Sequence, residues 1–360
     1  MPQLAFDPVR SPRIQLLVNG TPAPGCYAAS VETTAHMQAA RWTAEVAVGP
    51  GMSASDWSAL PAPSTVEIRG SLDGNSWTSL VTGDIDDLHL DLENGVVSLS
   101  GRDLSARFLD TKTSNAWPNQ TSSQIATYLA GLRGLQANVI PTSTPVGQYY
   151  QLEHSRVTAG SFSKFSNEWE LLCYLAREEN YVVSVSGQTL NFVPRTQAGT
   201  VFDLVFDASR SPPVSVASNL QLSRSMTLAK DIKVVVRSWD SKKAAAHEVT
   251  ATRSRTAGDK RSGDTQTYTY TKPGMTPQAA QVFANHQLAQ LSQHEKICEF
   301  DIPGELQMSP FAQISLTGTG TAFDQTYYVD SITRGIDLSS GFHQHVRAKN
   351  SDPASQVAPG

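Results

Sequence analysis

Carboxylates are concentrated in one short stretch of the chain. Asp84, Asp86 and Asp87 lie almost side by side, and Asp91 follows four residues later. Paired carboxylates could act as acid and base in hydrolysis, or could bind calcium. The spacing is not that of an EF-hand loop, and alternation along a strand would place Asp84 and Asp86 on one face, opposite Ile85. The pattern therefore favours a polar outer face of a sheet.

A further acidic residue, Asp103, follows a strand-like run in the sequence Gly101-Arg102-Asp103. It could be a catalytic acid. Because the neighbouring Arg102 offers a guanidinium that can hold a carboxylate through two hydrogen bonds, a structural ion pair between them is the favoured interpretation.

Two histidines, His343 and His345, occupy alternate positions and would lie on the same face of a strand. Two imidazoles are too few for a metal centre without a further donor, so a solvated strand face is favoured. The sequence also lacks GxGxxG, Walker, HExxH and GxSxG motifs. No catalytic, cofactor-binding or metal-binding residue is predicted, and the chain is predicted not to be an enzyme.

The three cysteines, Cys26, Cys173 and Cys298, are far apart in the sequence. An odd number without CxxC or Cys/His spacing indicates neither a disulfide framework nor a zinc site, and it fits assembly in a reducing compartment. Cys173 falls within an apolar helical stripe and is predicted to be a buried small hydrophobic residue.

Positive charge is concentrated between Arg224 and Arg261, which contains ten of the 28 lysines and arginines and four acidic residues. Trp239 is the one aromatic residue in this stretch, which disfavours a stacking platform for single-stranded nucleic acid. Contact with a polyanion, contact with an acidic face of a neighbouring subunit, and a plain solvated surface all remain open. The residues proposed to line a channel or a subunit contact are Arg224, Lys230, Lys233, Arg237, Lys242 and Lys243.

Composition restricts the class of protein. The chain has 360 residues, of which 39% are hydrophobic and 17% charged, with a formal net charge of -5. These values describe a soluble globular protein of two to four domains. Its net charge is too close to zero to attract nucleic acid or an anionic membrane to the molecule as a whole. We find no signal-peptide core and no run long enough for a transmembrane helix, so assembly in the host cytoplasm is expected.

The first part of the chain predicts short strands separated by turns. Strands are expected from Ile14 to Val18, at 46–48, 66–68, 77–81, 85–92 and 96–99, with a hairpin at Asn19-Gly20 and a break at Gly83. This spacing is typical of a β-barrel or sandwich.

The middle part has helical signals. Thr121 and Gln124 have capping-box spacing, and a second helix is predicted from Ser166 to about Glu179, followed by a hairpin at Ser186-Gly187. From Asn219 onward strands return, with one helix that begins after Thr276 at Pro277.

These elements predict a chain of the α+β class that consists mainly of β-strands and contains an inserted α/β unit. The expected divisions are a first β-barrel domain at 1–112, an inserted α/β domain at 113–198, a second β-barrel domain at 199–350 with a helix near 276–294, and a flexible tail at 351–360. In an alternative division, part of 199–240 completes the first barrel and does not belong to the second.

Three runs carry a resemblance to a known family. They are Val97 to Asp110 followed by Trp117 to Ala126, then Leu228 to Asp240, and finally Tyr327 to Thr333 followed by Gly341-Phe342. In their order and spacing they resemble the phage tail baseplate hub family that includes the late control protein D and the Mu-type hub. The resemblance extends over about residues 14–350 and includes the N-terminal hub part of type VI secretion spike proteins.

The resemblance implies a structural hub: two β-barrel domains per subunit form a pseudo-sixfold ring in a homotrimer. Such a ring joins the sixfold tail tube, or distal tail protein, to a threefold central spike or tail-fibre protein and lines the channel for DNA. The implied location is the tail tip of the virion, with non-specific contact to phage DNA and no membrane insertion.

Two alternatives stay open. The carboxylates allow a tail-associated cell-wall hydrolase, and Trp42, Trp57 and Trp77 allow a carbohydrate-binding β module. Aromatic residues in short strands more often belong to a core.

Overall fold

A computed structural model describes residues 10–49, 51–112, 115, 117–143, 146, 148–150, 155–157, 167–194, 200–210, 213–226, 232–240, 245–253, 265–272, 275–291, 293 and 295–350. Strands account for 51% of the chain, which confirms the mainly β class. The predicted flexible tail at 351–360 lies outside the described residues.

The N-terminal part forms an antiparallel sheet around its own core, in which Leu16, Trp42 and Ile68 are fully buried. Asn19 and Gly20 both have positive φ angles between the first two strands, which confirms the predicted hairpin. The elements are β1 Arg13–Val18, β2 Thr21–Ala23, β3 Cys26–Thr34, β4 Arg41–Ala47, α1 Ala54–Ser58, β5 Thr65–Ser71, β6 Thr78–Asp91 and β7 Val96–Asp103.

The predicted break at Gly83 is wrong, because β6 continues through it as one strand of 14 residues. A Cβ atom on Gly83 would lie 2.1 Å from the Arg102 carbonyl oxygen and 2.7 Å from Nε1 of Trp42. The glycine therefore permits close approach of the buried indole and the neighbouring strand, and it does not make a turn.

The middle part is a three-stranded sheet with two helices against one face, and Ile125, Leu172 and Phe192 are among its buried residues. The Thr121–Gln124 capping box is present, and Asn167 caps the second long helix. The elements are α2 Ala106–Leu109, α3 Ser122–Leu132, β8 Gln136–Val139, β9 Gln148–Tyr150, β10 Ser155–Val157, α4 Glu168–Glu179, β11 Tyr181–Ser186 and β12 Thr189–Pro194.

The C-terminal part contains a second β core that includes Phe300, Tyr327 and Val346. Its elements are β13 Val201–Asp207, β14 Val214–Ser215, β15 Ser218–Arg224, β19 Lys296–Pro303, β20 Gln313–Thr317, β21 Gln325–Asp337 and β22 Gly341–Lys349. Of the strands within 199–240, β13 pairs with β20 and β15 with β19, so these lie with the C-terminal strands and not with β1–β7.

The segment that follows β15 and precedes β19 in the sequence forms a fourth core, which was not expected from the sequence. The strands β16 Ile232–Asp240, β17 Ala245–Arg253 and β18 Gln266–Thr271 form a separate sheet, and helix α5 Pro277–Leu291 packs against one of its faces. Ile232, Val236 and Ala284 are buried between them. Pro277 is the first residue of the helix, as predicted.

The N-terminal and C-terminal β parts share one 14-stranded sheet. They meet where β3 pairs antiparallel with the second half of β21, from Ser331 opposite Thr34 to Asp337 opposite Ala28. Among the described residues, strand pairing does not close either part into a barrel, and the sheet branches at β21 and ends at β2, β14 and β15.

Candidate subunit-contact surface

The basic residues singled out in the sequence lie on two different strands. Arg224 ends β15, whereas Lys233 and Arg237 belong to β16. Lys230, Lys242 and Lys243 lie outside the described residues. The structure therefore does not gather the described three into one patch, and each must be considered in its own surroundings.

Arg224 is neutralised within the chain. Its Nη2 lies 2.9 Å from Oε1 of Glu295, and the Glu295 side chain is only 1% exposed. Because a buried carboxylate needs a charged or hydrogen-bonding partner, this ion pair stabilises the segment that precedes β19. About two fifths of the Arg224 side chain remains exposed, so the guanidinium can also contact a neighbouring molecule.

Lys233 and Arg237 lie on a solvent-facing sheet surface, which we call the β16 open face. Alternation along β16 buries Ile232, Val234 and Val236 against α5 and directs the intervening side chains to the opposite face. The β16 open face consists of Lys233, Arg237 and Trp239, with Val235 buried between them, and is flanked by Thr250 and Thr252 of β17 and by Thr267, Thr269 and Thr271 of β18.

The β16 open face combines hydroxyl groups, one exposed aromatic ring and little net charge. The Trp239 ring is 51% exposed, and Nε of Arg237 lies 2.8 Å from Oε2 of Glu248 on the adjacent strand. Exposed tryptophan is enriched where proteins contact one another. The alternation of threonine and tyrosine through Thr267, Thr269 and Thr271 was a sequence signal for this face.

A second candidate contact is formed by strand edges. β15 pairs with β19 on one side, and no strand among the described residues pairs with its other side. Gln221 and Ser223 are exposed along this strand. An edge with unpaired backbone groups is a template for another strand, so native proteins normally cover it.

Two carboxylates of the acidic run of β6, those of Asp84 and Asp86, form ion pairs with arginines. Asp86 accepts two hydrogen bonds from Arg102, at 2.7 and 2.9 Å, and Asp84 accepts two from Arg107, at 2.7 and 2.8 Å. Asp110 makes a second contact to Arg102 at 2.9 Å. The carboxylates of Asp86 and Asp110 raise the pKa of Arg102 above its ordinary value, so this guanidinium stays charged. The predicted polar outer face is confirmed.

The predicted ion pair between Arg102 and Asp103 is wrong. Consecutive side chains of a strand point to opposite faces, so Asp103 is directed inward. Its carboxylate accepts hydrogen bonds of 3.0 Å from the backbone N–H groups of Ala40 and Ser105. Burial raises the pKa of Asp103 above its ordinary value. Asp103 thus joins the start of β4 to the turn after β7.

The two histidines of β22 lie on one exposed face, as predicted, but they have separate partners. Nδ1 of His345 lies 2.7 Å from Oδ1 of Asp301, and Nδ1 of His343 lies 3.2 Å from the Ser340 hydroxyl. Within the described residues there is no group of three histidine, cysteine or acidic side chains placed to bind a metal ion.

The remaining candidates are mostly core residues. Trp42 and Trp57 are each 1% exposed, so neither can stack on a sugar, whereas Trp77 is 37% exposed. Cys173 is buried as predicted, and its burial raises the pKa of the thiol to about 11. A thiol with such a pKa is unreactive near neutral pH. In the part of the chain described, no helix is long and apolar enough to cross a membrane.

Comparison with solved structures identifies the fold. A tail protein from Neisseria meningitidis superposes with a TM-score of 0.69 at 12% sequence identity, covering 96% of this chain and 99% of that one. The 43 kDa tail protein of prophage MuSo2 from Shewanella oneidensis gives 0.66 at 13% identity, covering 96% and 100%. No protein-family model matches the sequence, and no curated protein sequence is significantly similar to it.

A third structure extends the likeness beyond phages. An E. coli component of the type VI secretion system, described as structurally similar to the bacteriophage T4 tail proteins gp27 and gp5, gives a TM-score of 0.55 at 10% identity over 96% of this chain and 79% of that one. The chain therefore has the fold of these tail proteins. The resemblance seen in the sequence is confirmed at the level of the fold.

Proposed function

We propose that this protein is the baseplate or tail-tip hub of a phage or phage-like particle, a structural component and not an enzyme. The observation that carries the proposal is that the superpositions on two tail proteins cover 96% of this chain and 99% and 100% of those proteins. A shared fold over entire chains favours a shared structural role more than a borrowed domain would.

In the proposed hub, three copies form a ring with pseudo-sixfold symmetry. Each copy supplies the N-terminal and the C-terminal β parts, which have separate cores and are joined through β3 and β21. Six similar β units would match a sixfold tail tube, while the threefold axis would match a central spike or a tail fibre. Completion of each β part as a barrel would depend on strands contributed by neighbouring subunits.

The open edge of β15 and the β16 open face are the proposed subunit contacts. Pairing across the β15 edge would satisfy backbone groups that are unpaired in the single chain. Lys233 and Arg237, together with Arg224, Lys230, Lys242 and Lys243, are proposed to face a neighbouring subunit or the channel, where contact with DNA would be non-specific.

The first test is the absolute mass of the purified protein by light scattering over a concentration series, followed by negative-stain imaging. We expect a trimer of three times 38.8 kDa with a central hole. The same measurement is repeated in the presence of the cognate tail-tube and spike proteins, which tests a ring that needs a template. A monomer in every mixture, with no ring, contradicts the proposal.

A paired variant tests the edge directly. Q221K combined with S223K places two charges on the exposed side chains of β15 without altering the core, and we expect it to prevent the ring. S58K, at an exposed position at the end of α1, is the matched control and should assemble normally. Rings formed equally by both variants would exclude β15 as a contact.

A further inference from the structure

The sequence contains two Asn-Gly pairs, Asn19-Gly20 and Asn94-Gly95. The first lies in the turn between β1 and β2, the second in the turn between β6 and β7, and both asparagines are exposed. An asparagine that precedes glycine is chemically labile, because the backbone nitrogen of the glycine reaches the side-chain amide carbon without hindrance from a side chain of its own. The two pairs differ in how the fold holds the asparagine.

The Asn19 side chain is tied to another strand. Its Oδ1 accepts hydrogen bonds from the backbone N–H and the hydroxyl of Thr65, at 2.9 and 3.3 Å, and its Nδ2 donates to the Ser64 hydroxyl at 3.2 Å. Its backbone N–H also donates to the Thr65 carbonyl oxygen at 2.9 Å. Since Thr65 begins β5, the amide group cannot rotate toward Gly20 without breaking bonds to that strand.

The Asn94 side chain is held more loosely. Within the described part of the chain its amide group makes one hydrogen bond, in which Nδ2 donates to Oδ2 of Asp91 at 2.7 Å. This partner is a side chain only three residues earlier, and it can follow the asparagine as it rotates. The glycines do not distinguish the pairs, because a Cβ atom at Gly20 or at Gly95 would have no neighbour within 4 Å. Asn94 is therefore the asparagine whose amide carbon approaches the next backbone nitrogen at the lower cost.

The reaction at Asn94 needs only water as a co-reactant. The Gly95 nitrogen forms a bond to Cγ of Asn94, the Cγ–Nδ2 bond breaks, and ammonia leaves with the proton of the Gly95 N–H group. Water then opens the cyclic imide at one of its two carbonyl carbons. Opening at Cγ gives aspartate, whereas opening at the backbone carbonyl carbon gives isoaspartate, in which the chain runs through the side-chain carbon. Either product adds one negative charge at neutral pH.

The new carboxylate would face an ionised neighbour. The hydrogen bond from the Asn94 side chain lowers the pKa of Asp91, so Asp91 is charged at neutral pH. Loss of Nδ2 replaces that hydrogen bond by repulsion between two carboxylates. The turn is also joined to the residue that follows β4, since the Val48 N–H donates to the Gly95 carbonyl oxygen at 2.8 Å. The longer backbone of isoaspartate would displace this carbonyl group.

We propose that Asn94 is a site of spontaneous deamidation in the folded protein, and that its conversion loosens the β6–β7 turn from the end of β4. Asn19, which also precedes glycine, is protected by its bonds to Ser64 and Thr65. The inference goes beyond the hub function and does not depend on a ring. It gives each subunit a charge that changes as the protein ages.

The test follows the purified full-length protein during storage at mildly alkaline pH, with peptide mapping by mass spectrometry at intervals. We expect the peptide that contains Asn94 to accumulate aspartate and isoaspartate at least about tenfold faster than the peptide that contains Asn19. The reason is that three side-chain hydrogen bonds must break at Asn19 and one at Asn94. Equal rates at the two asparagines, or an Asn94 that stays unchanged, overturn the proposal.

The same protein stored in urea separates the effect of the fold from that of the sequence. Without the turns, both asparagines precede glycine in a flexible chain and should convert at similar rates. If Asn94 still reacted tenfold faster than Asn19 in urea, the structural explanation would be wrong. N94Q is the control for the mapping: glutamine cyclises far more slowly, so this peptide should keep its mass.

Amide exchange tests the loosening of the turn. N94D carries the aspartate product from the start, and the Val48 amide should exchange faster in N94D and in the aged wild type than in fresh protein, while the amides of β20 stay unchanged. Unchanged exchange of Val48 in the aged protein would contradict this part of the proposal. Because both measurements report on the single chain, their outcome is independent of whether the ring forms.

Discussion

Single residues determine how closely the strands of the N-terminal β part approach one another. The indole of Trp42 lies over two glycines, Gly83 and Gly101, and its Nε1 donates to the Arg102 carbonyl oxygen at 3.3 Å. The glycines leave the volume that the ring fills. Since both sides of this contact include backbone, neither can move without shifting a strand.

We expect G83A to lower the free energy of unfolding by roughly 2–4 kcal/mol, because the added methyl group would overlap the Arg102 carbonyl and the Trp42 ring. Chemical denaturation followed by tryptophan fluorescence measures the change. G131A is the control: nothing lies within 4 Å of a Cβ at this position in α3, and alanine there should stabilise by about 0.5–1 kcal/mol. Equal effects of the two variants would contradict this account.

Asp337 gives the β21–β22 turn a pH dependence. Its carboxylate accepts hydrogen bonds from the hydroxyl groups of Ser339, at 2.6 Å, and Ser340, and further bonds of 2.7 Å from the N–H groups of both residues. These bonds, those from the hydroxyl groups most of all, lower the pKa of Asp337 below the ordinary 3.8. A lowered pKa means that the turn is stabilised above pH 3.8 and loses this stabilisation as the pH falls through the lowered value. The chemical shift of the Asp337 carboxyl carbon should titrate with a midpoint below pH 3.8, and S340A should raise that midpoint. An unchanged midpoint in S340A would contradict this explanation of the lowered pKa.

At the scale of elements, the local signals in the sequence were reliable. The hairpin at Asn19-Gly20, the capping box of α3 and the start of α5 at Pro277 depend on a few adjacent residues, and the structure confirms all three. The errors concern partners that are distant in sequence. Gly83 appeared to be a break because its role depends on Trp42, 41 positions away, and Arg102 was assigned to Asp103 because adjacency in sequence is not adjacency in a strand.

We expect T121A to destabilise the protein by about 1 kcal/mol, because the Thr121 hydroxyl accepts the hydrogen bond of the Gln124 N–H at the start of α3. Thermal unfolding monitored by circular dichroism detects the change. T121S retains the hydroxyl and should unfold near the wild-type temperature. If serine proved as costly as alanine, packing of the threonine methyl and not capping would explain the loss.

The candidate surfaces were only partly predictable at this scale. The strand at β16 was expected, and so was the positive charge of Lys233 and Arg237. That α5 would cover one face of this sheet and leave the other open could not be derived, since both faces carry β-branched residues.

For the whole molecule, the pairing of β3 with β21 predicts cooperative unfolding of the two β parts. V31A removes two methyl groups from a residue that is 1% exposed and paired with Arg334, at a cost of about 2 kcal/mol. We expect amide exchange by mass spectrometry to accelerate in both β parts.

V234A, in the separate core beneath α5, is the control for this experiment and should accelerate exchange mainly between residues 232 and 291. Acceleration confined to the N-terminal β part in V31A would show that the shared sheet does not couple the two parts.

The junction of β3 and β21 also constrains how the chain can be synthesised. The Thr33 hydroxyl donates to the Ile332 carbonyl oxygen across a separation of 299 residues. At about 5–20 residues per second, a ribosome needs roughly 15–60 seconds to deliver the partner of β3 after β3 itself has emerged. Throughout that interval a nine-residue strand has an uncovered edge, a template for nascent chains on neighbouring ribosomes. Glu32 is the one charged residue of β3, so charge gives this edge little protection before its partner strand has been made.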